Sequence, residues 1–93
     1  MENNKLIVTD EYGKDRTIVV LDIVEKKRLF RKKEFMVYFA EDEPDKIYAS
    51  YLHETKDSFS LDRVEGRKDT AFANALIDKA IEALLEQQKH QAT

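Results

Sequence analysis

Polar and apolar positions follow one rule over the first two thirds of the chain and another over the last third. Leu6-Ile7-Val8-Thr9 is a short β-branched run, and the segment after it, through Asp15, has turn chemistry, with Gly13 free to take positive φ. Thr17-Ile18-Val19-Val20-Leu21-Asp22-Ile23-Val24 is the most strand-like stretch; it is apolar on both faces with Asp22 its only charge, which predicts a central strand. Glu34 to Ala40 predicts a third strand, with Phe35, Val37 and Phe39 on one face and Met36 and Tyr38 on the other. Glu41-Asp42-Glu43-Pro44-Asp45 interrupts the pattern, because four carboxylates favour solvent and Pro44 lacks a donor. Ile47 to Leu52 is a fourth strand. After a polar stretch from His53 to Asp57, Ser58-Phe59-Ser60-Leu61-Asp62 alternates, with Phe59 and Leu61 inward.

From Asp69 the period lengthens. Phe72, Leu76, Ile77, Ala80, Ile81, Leu84 and Leu85 recur three and four residues apart, the stripe of an amphipathic helix. Gly66 separates this helix from the strands, and Asp69 or Thr70 is placed to cap it. The elements predicted are strands near 5–9, 17–25, 34–40, 46–52 and 58–63 and a helix near 70–88. A meander-like antiparallel sheet of about five strands, spanning 5–64, is then covered on one face by a single C-terminal helix, an α+β fold. The tail from 89 to 93 has lost the apolar stripe and is expected to fray.

Composition narrows the class. Ninety-three residues make one domain, and a chain of this size buries roughly 65% of the surface its unfolded form exposes. The charged fraction is 38%, but 16 basic and 19 acidic residues nearly cancel to a net charge of −3. The balance argues against disorder and against global attraction to nucleic acid or anionic lipid. Without cysteine there is no disulfide, thiolate zinc site or thiol nucleophile. The amino terminus has no signal-peptide pattern and no stretch reaches membrane-span length, so the expectation is a soluble cytoplasmic protein with no membrane association.

Leu6-Ile7-Val8-Thr9-Asp10-Glu11-Tyr12-Gly13, then Val19-Val20-Leu21-Asp22, then Glu34-Phe35-Met36-Val37-Tyr38, and late in the chain Asp69 opening a helix, together resemble the YrzB-like family of small bacterial proteins built around a domain of unknown function. The likeness covers roughly residues 5 to 86. It implies a β-rich fold closed by a terminal helix, and carries over no catalytic or binding residue. Two features depart from the family pattern. Its members are usually strongly acidic, and they enter the third strand by a short Gly-containing turn, whereas Lys26 to Lys33 reads here as a longer, basic turn without Gly.

That turn is the foremost candidate site. Lys26, Lys27, Arg28, Arg31, Lys32 and Lys33 place six of the 16 basic residues in eight positions, around Leu29 and Phe30. A basic loop with an apolar tip can dock an acidic protein surface, or grip phosphates and stack a base. It can equally be a solvated loop that keeps a sheet edge soluble, with Leu29-Phe30 folded back as a plug. Glu41, Asp42, Glu43 and Asp45 lack the spacing of a calcium loop. His53 and His90 have no partner group placed by sequence to complete an acid–base constellation. Tyr38, Tyr48 and Tyr51 with Phe35 and Phe39 read as cross-strand core pairs rather than a pocket. Leu84 and Leu85 are placed to overhang the sheet and meet a second copy. The sequence thus predicts no catalytic residues, metal or cofactor. It predicts a non-enzymatic module that binds an unknown protein partner, as a homodimer in one variant; the alternative is a nucleic-acid-binding accessory protein using Lys26–Lys33.

Overall fold

The computed structural model describes residues 4–9, 12–29, 31–57 and 59–91, excepting the side chains of Arg28 and of residues 88–91. Five strands, β1 (Lys5–Thr9), β2 (Asp15–Arg28), β3 (Arg31–Ala40), β4 (Glu43–Glu54) and β5 (Phe59–Asp62), form one antiparallel sheet in chain order. The helix α1 (Arg67–Gln91) follows and packs on β3 and β4. This is the predicted α+β meander, with β2, β3, β4 and α1 longer than the pattern suggests.

The differences have physical causes. Lys26 to Lys33, expected as a long turn, is two strand ends: Lys26 pairs with Lys33, Lys27 with Lys32 and Arg28 with Arg31. Only Leu29 and Phe30 remain for the connection. Leu29 has φ 53°, the sign required at the first central residue of the primed hairpin turns; Phe30 lies outside the described residues. The acidic break is also shorter than expected, since β4 already begins at Glu43. Ala40 pairs with Glu43 and Phe39 with Ile47, so Pro44, Asp45 and Lys46 have no partner on β3 and the missing Pro N–H costs no ladder bond. The helix starts at Arg67, its first turn closed by Thr70 N–H to Gly66 O at 2.9 Å, so Asp69 lies inside that turn rather than at its cap. It continues through Gln91, where fraying from 89 is expected.

A bulge at Leu21 decides which side chains meet the helix. Val20 pairs with Tyr38 and Asp22 with Val37, leaving Leu21 as the extra residue. Asp22 Oδ1 accepts the backbone N–H of Ile23 at 2.8 Å beside the irregularity. Because one inserted residue exchanges the faces of all that follow, Val24 and Lys26 join the face of Phe35 and Val37, while Ile23, Glu25 and Lys27 take the opposite one. The helix covers the first face, where Phe35 is 0% and Val37 1% exposed and Phe72 stacks on Phe35 with centroids 5.0 Å apart.

The second face has no helix, yet Ile18, Met36 and Leu52 are buried there in one cluster. Ile18 neighbours Ala40 and Leu52 neighbours Glu34 on β3, with Met36 between them, and the twist of the sheet draws the three together on this face. Leu6 and Val8 from one edge and Phe59 and Leu61 from the other pack against the same cluster. On the helix side, 25 residues give a rod ~37 Å long, more than the ~33 Å of the ten-residue β3. Toward its end the stripe meets less of the sheet: Leu84 is half-buried and Leu85 is 53% exposed. No helix among the described residues is long and apolar enough to cross a membrane.

Candidate functional site: the basic hairpin

The β2–β3 hairpin carries six cations in direct cross-strand register, an arrangement that repels itself unless anions lie within reach. On the helix side the anion is Asp69. Its Oδ2 lies 2.7 Å from Lys33 Nζ and its Oδ1 3.2 Å from Lys26 Nζ. The Tyr51 hydroxyl is 2.7 Å from the same Oδ2 and 3.0 Å from Glu65 O; its single proton serves the shorter contact, and its oxygen faces the Glu65 N–H at 3.4 Å. Lys26 Nζ also sits 4.9 Å from the Phe72 ring centroid and Lys33 Nζ 5.4 Å from that of Tyr51. Asp69, 8% exposed in the first turn of α1, thus ties the helix to both strands of the hairpin and benefits from the positive helix end.

The electrostatics follow. The Lys33 ammonium first, and the Tyr51 hydroxyl second, hold the Asp69 carboxyl far below the usual carboxylate range. The same hydrogen bonds raise the Lys33 ammonium and the Tyr51 phenol above their ordinary values. This network fastens the fold. It engages both lysines of the expected basic site within the fold: Lys26 is half-buried, while Lys33 keeps much of its side chain in solvent.

On the opposite face Lys32 and Lys27 approach Glu25 at 3.2 and 3.6 Å, but both remain largely in solvent. Exposed pairs of this kind contribute little to stability. Arg31 is exposed as well. At the tip, Leu29 is 96% exposed rather than folded back as a plug. The outward set is therefore Lys27, Leu29, Arg31 and Lys32; the side chain of Arg28 and the whole of Phe30 lie outside the described residues.

The other candidates are occupied in more ordinary ways. Glu41 pairs with Lys5, and Arg16 Nη2 bridges Asp42 and Glu43 at 3.2 and 3.3 Å, so the carboxylates of the acidic turn are engaged by exposed cations of β1 and β2. No group of three metal-ligating side chains occurs among the described residues. His53 Nε2 lies 2.9 Å from Asp62 Oδ2 on an exposed surface, and the His90 side chain is outside the described set. Tyr38 stacks on Tyr48 and shares a 2.8 Å hydrogen bond with Ser50, while Phe35 stacks on Tyr51, which are the cross-strand pairs expected of these aromatics. Compared with known proteins, the chain matches no family model, no curated protein and no solved structure.

Proposed function

We propose that this chain is a non-enzymatic protein-interaction module of the bacterial cytoplasm, docking on an acidic partner through the tip of the β2–β3 hairpin. The observation that carries this reading is Leu29, 96% exposed at φ 53°. A left-handed conformation costs a Leu roughly 1–2 kcal/mol, and an exposed apolar side chain returns none of it. Gly or Asn would relieve that cost. A strained, solvent-facing Leu framed by Lys27, Arg31 and Lys32 makes sense if an apolar contact and a basic collar are both wanted at the tip. The resemblance to the YrzB-like family supports the bacterial setting and is neutral about the partner.

Leu29→Asn tests the reading without endangering the fold. The variant should be more stable by about 1 kcal/mol, a rise in melting temperature of roughly 4–8 °C. It should nevertheless lose the proteins that the unmodified chain retains from a native bacterial lysate, as should a variant with Lys27, Arg31 and Lys32 replaced by Ser. Recovery of the same proteins by all three chains would remove the hairpin tip from consideration. Retention of labelled nucleic acid with a steep decline in added salt would instead favour phosphate binding by the same cations.

A further inference from the structure

A second surface is independent of the hairpin tip. An open groove of about 310 Å³ lies between β4 and α1, with Tyr48, Ala49 and Ser50 on one wall and Arg63, Asn74 and Ile77 among the residues of the other. Successive side chains of a strand point to opposite faces, so three consecutive residues can line one groove only where it runs along the backbone edge. That edge is open. β5 pairs with β4 only from Tyr51 to Glu54, and the sheet order gives β4 no other neighbour on that side. Among the described residues, no backbone hydrogen bond from a loop or turn reaches the remaining stretch. Half of its N–H and C=O groups point away from β3 into the groove, as in any edge strand.

We propose that this groove binds an extended peptide segment of another protein, added to β4 as a strand in line with β5 and carrying a carboxylate that pairs with Arg63. A row of alternating backbone donors and acceptors is matched by another extended chain and by few small molecules. Ala73 and Ile77 give its inward side chains an apolar wall, and Asn74 gives it a polar contact. Arg63 supplies the charge preference: it is exposed, and makes no ion pair among the described residues. A second copy of this chain fits less well. Pro44 and the unpaired Asp45 and Lys46 end the regular edge, leaving Ile47 to Ser50, a length suited to a short peptide rather than to edge-to-edge dimerisation.

The test uses the full chain and a random octapeptide library displayed on phage. Selected peptides should favour alternating apolar residues with an acidic residue. Binding a synthetic copy should slow amide hydrogen exchange at least ~10-fold at the outward-pointing positions between Ile47 and Ser50. Arg63→Glu should weaken binding roughly tenfold or more, the worth of one hydrogen bond to a charged group. Asn74→Trp, which fills the groove from an exposed position, should abolish binding, and neither substitution should shift the melting temperature. Leu29→Asn should bind the peptide unchanged, which keeps this result separate from that of the hairpin. The proposal is overturned if no peptide is enriched, if exchange at Ile47–Ser50 is unaffected, or if both groove variants bind normally. Protection of these amides that rises with protein concentration in the absence of peptide would assign the edge to a second copy instead.

Discussion

Phe35→Ala should lower the melting temperature by roughly 15–30 °C, with helix and sheet signals lost together in one transition. Phe35 is 0% exposed, with its ring centroid 5.4 Å from that of Tyr51 and 5.0 Å from that of Phe72, so it joins β3, β4 and α1 in one stack. Truncating a buried Phe to Ala costs about 3–5 kcal/mol, the transfer energy of the ring plus the cavity it leaves. A domain of this size has about 5–14 kcal/mol in total. The loss is thus a large share of all the stability available. Leu85→Ala is the control: a residue 53% exposed should change stability by no more than about 0.5 kcal/mol. Equal effects of the two substitutions in circular-dichroism melts would mean that α1 does not seat on Phe35.

Asp69→Asn should be the most damaging single change of charge. It leaves Lys26 and Lys33 facing each other across the hairpin with no anion, and should cost about 2–3 kcal/mol. Much of that cost falls on Lys26, which is half-buried, whereas Lys33 keeps water to solvate its charge. Replacing Lys26 and Lys33 by Met together with Asp69 by Leu should therefore cost less than Asp69→Asn alone, since the Tyr51 hydroxyl can then donate its proton to Glu65 O instead. A triple variant less stable than the single one would show that the ion network is itself favourable.

The pH dependence has a definite sign. A carboxyl held below its ordinary value contributes stability that is present above about pH 4 and is lost as pH falls further. Lys33 and Tyr51, both raised, contribute stability that is lost as pH climbs past about 10. Urea midpoints followed from pH 7 down to 2 should fall for the unmodified chain and fall less steeply for Asp69→Asn. Parallel acid limbs would place the responsible carboxylate elsewhere.

Which parts of this arrangement could be read in the sequence follows from where the information lies. Elements whose period is local were legible: the alternation of Phe59 and Leu61, the aromatic faces of Phe35 to Phe39, and the stripe from Phe72 to Leu85. The hairpin ends were not, because six like charges facing one another are poor strand material by every local measure. What permits them is a carboxylate that is 36 residues from Lys33 and 43 from Lys26. Asp69 was legible as a residue of the helix start and read as its cap; its true role depends on a register set by the bulge at Leu21. That bulge leaves almost no local trace, since the residues around it are apolar on both faces. The tight turn was hidden for another reason. Leu29 occupies a position where Asn or Gly would have announced it, and that substitution is the best internal sign that the tip serves something other than the fold. The groove beside β4 depends on β5 being only four residues long and on where α1 lies, neither of which periodicity reveals.

The strand order has a consequence for how the molecule assembles. Each strand pairs only with its neighbours in sequence, so every ladder closes through a short connection and no strand waits for a distant one. The contacts that Asp69 and Phe72 make with the hairpin are among those of longest reach, and they can form only after the sheet exists to receive the helix. Interactions made that late lie beyond the folding barrier. Weakening them should leave the refolding rate nearly unchanged and accelerate unfolding, so Asp69→Asn should steepen the loss of the native state in stopped-flow experiments almost entirely through the unfolding arm. The lifetime of the folded chain, more than its speed of formation, is then set by one carboxylate near the start of its last element.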